Sequence, residues 1–377
     1  MASIPNSAIL DDSSPELASA SQSTLIWRRF ARHKLALMSL FIIGFLYVIA
    51  LGADVLAPYD PAANSSSAVF HPPQIPSLFI NDGDGFRFFP HVAAYQTERD
   101  PASLRMVYVE DSERVIPIGF FTSGAPYRLW GLVPTDIKFI APLNPNDRVY
   151  LLGADRLGRD MFSRLVHGAR VTMTIGLVGV LLSLVLGVFF GGISGYYGGR
   201  ADWLIQRLIE YILSLPTIPL WMALAAAMPR NWPPTWQYFT ITCIVSLIGW
   251  TELARVVRGR FLAMRDESFV VAARLDGCSE LRVIFTHMLP SLASHIIASV
   301  TLAVPMMIIA ETSLSFLGLG LQPPAISWGV LLQEAQNIRT IVQAPWLFSP
   351  AVLIIVAVLA FNFVGDGLRD AADPYAT

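Results

Sequence analysis

Apolar positions along this chain gather into six long runs divided by polar stretches: residues 35–56, 171–193, 205–227, 239–257, 292–309 and 347–364. Each approaches the ~20 residues a helix needs to cross a bilayer. The second run carries Gly176, Gly179, Gly187, Gly191 and Gly192, and small residues let helices approach closely in lipid. Pro216 and Pro219 predict a kink in the third. Residues 1–23, rich in Ser, Ala and Asp without an apolar period, predict a disordered tail. A cleaved signal peptide is the alternative for the first run, but its apolar stretch would be shorter and Ala57-Pro58-Tyr59 is a poor cleavage site.

Residues 58–167 contain no spanning run and are rich in Pro, Gly and aromatic residues. Strand-like stretches at 106–109, 115–118 and 149–152 predict a small domain with some β structure. Residues 81–85 superficially resemble a calcium loop. Counted from Asp82, however, the twelfth position is Ala93 rather than a bidentate Glu, so a turn is expected. His71 and His91 lack metal-ligand spacing and are expected on the surface.

Composition agrees with the pattern. Hydrophobic residues make up 54% and charged residues 14% of the chain, against ~25% charged in soluble domains, so this is an integral membrane protein. The net charge of -2 gives no hint of a nucleic-acid partner, there is no Lys/Arg run long enough to bind one, and none is expected. Basic residues Trp27-flanking Arg28, Arg29, Arg32 and Lys34, and later Arg255, Arg258, Arg260 and Arg265, mark the cytoplasmic side by the positive-inside rule. Only the last segment, with Arg369 against Asp366, Asp370 and Asp373, departs from it. Cys243 and Cys278 sit in different environments and form no disulfide framework.

Three polar constellations stand out. Residues 266–290 place Phe269, Ala272, Ala273 and Gly277 on one helical face, with Gly277 ending a first short helix. Ser279 and Glu280 begin a second, bearing Ile284, His287 and Met288 and expected to stop at Pro290. Asp155, Arg156, Gly158, Arg159, Asp160 and Arg164, followed by Arg170, predict an interfacial turn whose arginine stems lie on headgroups, with exposed ion pairs contributing ~0–1 kcal/mol each. Glu311, Ser315, Phe316, Gly318, Gly320 and Trp328, with Pro323-Pro324 between, predict a broken helix at the membrane edge, a candidate gate or pathway.

Catalytic machinery is missing from the pattern. The only lysines are Lys34 and Lys138, neither in a phosphate-binding loop, and there is no zinc helix or nucleophile turn. Glu210, Glu252 and Glu311 are the carboxylates in or beside apolar runs. Glu252 can pair with Arg255 at i+3, Glu210 lies near the inner end of its run, and the three form no convincing ion relay.

The run Val271-Ala272-Ala273, then Gly277, Ile284, His287 and Pro290, resembles the signature loop of membrane subunits of binding-protein-dependent ABC importers. There a coupling helix docks in a groove on the ATPase. The family pattern usually begins with Glu where Val271 stands, and Cys278 and Ser291 also depart from common choices. The 152–170 segment, the stretch from Glu311 to Gly329 and the stretch from Asn362 to Asp370 each resemble the dipeptide/oligopeptide permease branch. The resemblance implies an all-α integral membrane protein, with six transmembrane helices in the type I importer (MetI-like) permease fold and a mixed extracytoplasmic domain between helices 1 and 2. It divides the chain into a cytoplasmic tail (1–24), a first transmembrane helix (25–57), an extracytoplasmic domain (58–170) and a permease core (171–377) with its coupling loop at 266–290. It further implies a homologous second permease subunit, two ATP-binding subunits that hold ATP and Mg, an extracytoplasmic substrate-binding protein, and a bacterial inner-membrane location with both termini cytoplasmic. No cofactor is expected in this chain. Oligosaccharide transport within the same class, an ion-coupled secondary transporter and, more weakly, a membrane-anchored enzyme are the rival readings.

Overall fold

A computed structural model of the chain describes residues 22–81, 86–99, 101, 106–229 and 231–372. The expected tail lies outside these residues up to position 21, as do residues 82–85 of the calcium-like turn and Asp373. Residues 22–24, assigned above to the tail, open the first helix instead, α1 (Gln22–Arg32). Its Phe30 is buried while Arg28, Arg29 and Arg32 are exposed. The His33 Nδ1 then accepts from the Ala36 N–H at 3.1 Å and starts α2 (Lys34–Leu51). A short α3 (Ala53–Leu56) follows.

Four antiparallel strands come next, in sequential order: β1 (Ser77–Asn81), β2 (Phe86–Arg99), β3 (Met106–Leu129) and β4 (Val133–Pro142). The first half of β3 pairs with β2 and the second half with β4, so the two expected strands at 106–109 and 115–118 are one. Val92, Ala94, Ile116, Ile118 and Val149 make its core. Residues 149–152 form no strand, because side chains satisfy their backbone: Val149 donates to the Tyr59 hydroxyl (2.7 Å) and Tyr150 to Gln74 Oε1 (2.6 Å). His71 is not at the surface either. It is 8% exposed, ringed by Tyr95, Tyr108 and Tyr150, and burial lowers its pKa. His91 is half-buried on β2.

The helical body contains α4 (Met161–Tyr197), α5 (Gly199–Ser214), α6 (Thr217–Ala226), α7 (Pro234–Met264), α8 (Ser268–Leu275), α9 (Ala293–Phe316), α10 (Trp328–Glu334), α11 (Ile338–Gln343) and α12 (Ser349–Ala372). By length and composition α2, α4, α7, α9 and the segment Pro345–Ala372 can each cross a membrane, and α5 with α6 would make a sixth crossing. That pair is not a kinked helix but two helices at 85°. Leu215, held extended ahead of Pro216, breaks the helix, and Pro219 sits in the first turn of α6, where no hydrogen bond is lost.

The α4–α7 contact is the most extensive in the body. A Cβ at Gly191 would lie 2.5 Å from the Ala254 carbonyl oxygen, and one at Gly187 2.9 Å from the Leu253 side chain. The helices therefore meet backbone to backbone, as small residues permit in lipid. On the other side α12 lies against α2 and α9, with Gly367 on Ala36 and Gly365 on Leu302.

Candidate functional site

The segment 266–290 packs against the ends of α4 and α7 around a small shared core. Val270, Ala273, Val283 and Met288 are buried together with Tyr196, Phe261 and Leu292. Ala273 thus faces inward and does not share an open face with Ala272, which is exposed, and Phe269, which is 42% exposed. Gly277 ends α8 with φ +77° and open space around it, its N–H donating to the Arg274 carbonyl at 3.1 Å. Glycine is needed there for the left-handed backbone, not to admit a neighbour. Ser279 occupies the cap position but its hydroxyl makes no cap bond; Glu280 instead accepts from the Tyr197 hydroxyl at 2.8 Å. The second helix does not stop at Pro290. A π-helical turn (Val283–Met288) runs into a helical turn (Leu289–Ser291) with Pro290 at its start, where the missing N–H costs nothing, and Leu292 leads into α9. Ile284 and His287 are half-buried. What remains open is an apolar edge of Phe269, Val271, Leu275, Leu281 and Phe285, with Leu275 83% exposed. Leu275, Leu281 and Phe285 were missed from the sequence, although their spacing placed them opposite Val270 and Val283.

The arginine-rich turn is buried rather than interfacial. Asp155 is fully buried and Arg164 is 1% exposed. The Arg159 Nε donates to Asp155 Oδ2 at 2.7 Å, Arg164 Nη1 donates to the same oxygen, and Asp155 Oδ1 accepts from the backbone N–H groups of Leu157 (2.8 Å) and Arg159 (3.0 Å). The fourth member is Glu334 at the end of α10, 2.7 Å from Arg159 and 3.5 Å from Arg164. Burial pushes the Glu334 carboxyl up, and the two arginines pull it back. Arg156 stays exposed. Gly158, at φ +69°, is a glycine because a Cβ there would collide with the Ser65 carbonyl. Arg170 turns to Asp54 at 3.1 Å, joining α4 to α3.

Asp160 caps α4, accepting from the Ser163 N–H at 2.7 Å, while its Oδ1 is buried without a partner. Burial pushes its pKa up to about 6, against the pull of Ser163. A value above the ordinary ~3.9 means that the folded state holds the proton more tightly, so stability falls as pH rises from about 4 to about 6. Asp160→Asn keeps a cap acceptor and removes the ionisation. It is expected to unfold at a higher temperature than the parent at pH 8, by a stability gain of at most about 3 kcal/mol, with the gap closing by pH 4. Thermal unfolding in detergent at the two pH values checks this.

The third constellation meets around Glu311. This carboxylate is fully buried, its Oε1 accepting from Ser315 Oγ (2.8 Å) and Ser327 Oγ (2.7 Å). Ser327 also caps α10 by accepting from Val330, and Ser315 accepts from the Leu321 N–H at 3.1 Å. Trp328 is buried, its indole N–H on the Leu165 carbonyl (3.0 Å) and its backbone N–H on Thr172 Oγ1 (3.1 Å). Gly320 packs on Ser315 and Gly318 turns the chain at φ +75°, while Phe316 is 36% exposed. Helix α10 is thus held at one end by Glu311 and at the other by Arg159 and Arg164. Among the remaining carboxylates Glu210 pairs with Arg207 on the surface (2.7 Å), and no ion pair joins Glu252 to Arg255 among the described residues. Arg258 pairs with Asp202 at 2.5 Å, a contact the sequence did not suggest. Among the described residues no cluster of His, Cys, Asp and Glu could hold a metal ion.

Comparison with known proteins places this geometry. The family model for the binding-protein-dependent transport system inner membrane component matches residues 184–376, and that for the N-terminal TM domain of oligopeptide transport permease C matches residues 21–73. The dipeptide transport system permease protein DppC of Bacillus subtilis is 38% identical over 61% of this chain and 70% of its own length. The oligopeptide transport system permease protein OppC of the same organism is 36% identical over 61% and 73%. The glutathione transport system permease protein GsiD of Pectobacterium atrosepticum is 38% identical over 59% and 72%. With its apolar crossing helices and this match over its carboxyl-terminal half, the chain belongs to the family of inner membrane components of binding-protein-dependent transport systems.

Proposed function

We propose that this chain is one of two permease subunits of an ATP-driven importer that carries peptides delivered by an extracytoplasmic binding protein. The names of relatives at 36–38% identity, which transport dipeptides, oligopeptides and glutathione, support the substrate class. The observation that carries the ATP-driven part is the open apolar edge of Phe269, Leu275, Leu281 and Phe285 on a segment anchored to α4 and α7. Apolar side chains held rigidly in the open suit a partner surface. In this reading two partner ATPases bind ATP and Mg, dock on that edge from the cytoplasm, and move the helices as they close. The Glu311–Ser315–Trp328 cluster and the α10 latch hold the opposite end, where the pathway opens and shuts. Residues 58–170 then lie outside the cell membrane as a domain of their own, 171–377 form the permease core, and both termini are cytoplasmic.

Uptake of labelled trialanine in a strain lacking the chain, with and without ATP depletion, tests this. ATP-dependent uptake restored by the wild-type chain is the expected result. Restored uptake of a labelled oligosaccharide in its place removes the peptide assignment, and uptake that follows the ion gradient removes the ATPase partners.

A further inference from the structure

The 85° bend between α5 and α6 leaves a cavity of about 600 Å3 against α7 and α9, within the ~300–1,000 Å3 of small-molecule sites. Leu213 and Thr217, on either side of the break, line it together with Met306 and Met307 from α9. Into this largely apolar space projects one carboxylate, Glu252 of α7. Its side chain is exposed, and among the described residues it has no ion-pair or hydrogen-bond partner in the chain. The Trp221 indole on the same lining has a buried N–H with no acceptor. Glu210, Glu311 and Asp202, by contrast, are each paired or hydrogen-bonded: Glu210 to Arg207, Glu311 to two hydroxyls, Asp202 to Arg258. A lone carboxylate in a crossing helix is heavily penalised against hydrocarbon and tolerated where it meets water or a cation.

We propose that this cavity is the stretch of the translocation pathway supplied by this chain, and that Glu252 is a specificity-determining residue, drawing positively charged groups of passing peptides. The inference rests on the peptide-importer reading above. The cavity supplies room and apolar contact for varied side chains, and the one charge supplies the preference. Because the binding protein governs capture, the carboxylate acts on the maximal rate of passage and leaves the apparent KM unchanged.

The test uses the complete transporter with its binding protein in cells lacking the chain, and compares maximal uptake of trilysine, trialanine and triglutamate. Glu252→Gln is expected to lower the trilysine-to-triglutamate ratio at least tenfold at unchanged KM, and Glu252→Asp to restore most of it. In a background carrying Cys243→Ser and Cys278→Ser, the Glu252→Cys thiol should react with a membrane-impermeant cationic thiosulfonate, and trilysine should slow that reaction. An unchanged ratio overturns the proposal, and so does equal loss of all three peptides, which would mark Glu252 as structural. A thiol reached only by lipid-soluble reagents places the cavity against lipid and also overturns it. Failure of the parent chain to restore ATP-dependent uptake of any of the three sinks the peptide reading itself, an outcome distinct from the others.

Discussion

Asp155→Ala is expected to lower the folded yield and the unfolding midpoint of the detergent-purified protein more than any surface change. It strips Arg164, 1% exposed, of its nearest counter-charge and leaves Glu334 at 3.5 Å as the remaining anion. Removing one member of a buried pair costs about 3–5 kcal/mol, because the other charge stays buried, and whole-protein stabilities are only ~5–15 kcal/mol. The backbone N–H groups of Leu157 and Arg159 lose their acceptor as well. Asp155→Asn, which retains an oxygen for those groups, should fall between. Arg114→Ala is the control, since the Arg114 side chain is 63% exposed in its pair with Asp147 and such pairs are worth ~0–1 kcal/mol. If Asp155→Ala and Arg114→Ala shift the midpoint equally, the buried network is not what holds α10 to α4.

The second large effect concerns assembly rather than folding. Leu281→Asp and Phe285→Asp alter side chains 65% and 61% exposed, so the purified chain should unfold at the parent temperature. Each should nevertheless weaken association with the ATP-binding subunits roughly 30-fold, the effect of losing about 2 kcal/mol at a contact centre, and uptake should disappear in the double variant. Gly277→Ala separates this from backbone strain. With open space around Gly277, alanine adds no collision and costs about 1–2 kcal/mol for its left-handed backbone, a stability loss without a docking loss. Co-purification of the ATPases with each variant distinguishes the two. Full association of the double variant would remove this edge from the interface.

The six apolar runs were legible because crossing a bilayer demands length and hydrophobicity that local sequence records directly. Pro216 was legible as a kink, but neither the full break nor its angle was, since an 85° turn depends on what α6 packs against. The fate of the arginine-rich turn was hidden for a different reason. Arg159 finds Glu334 across 175 positions, and nothing near residue 159 announces that a distant helix end will cover it. Charges beside an apolar run look solvated until the covering element is known. Their small size put Ala272 and Ala273 together, but adjacent helical residues point about 100° apart, and Tyr196 and Val283 decide which one is inside. His71 looked like a surface residue because the three tyrosines around it come from β2, β3 and the residues before α4.

From Glu280 to Phe316 the chain is helical apart from the single turn at Leu292, and it contains no glycine. Pro290 and Pro305 are the two positions in it without a backbone N–H, and Pro305 lies inside α9. The α9 portion of 24 residues spans about 36 Å, with the open apolar edge at one end and Glu311 near the other. Over that length a tilt of about 5° amounts to a displacement of about 3 Å at the far end. In the proposed importer a push received at the edge would reach the Glu311 hydroxyl clasp through this run, and α8 would move with it, because Val270 and Ala273 pack on Val283 and Met288.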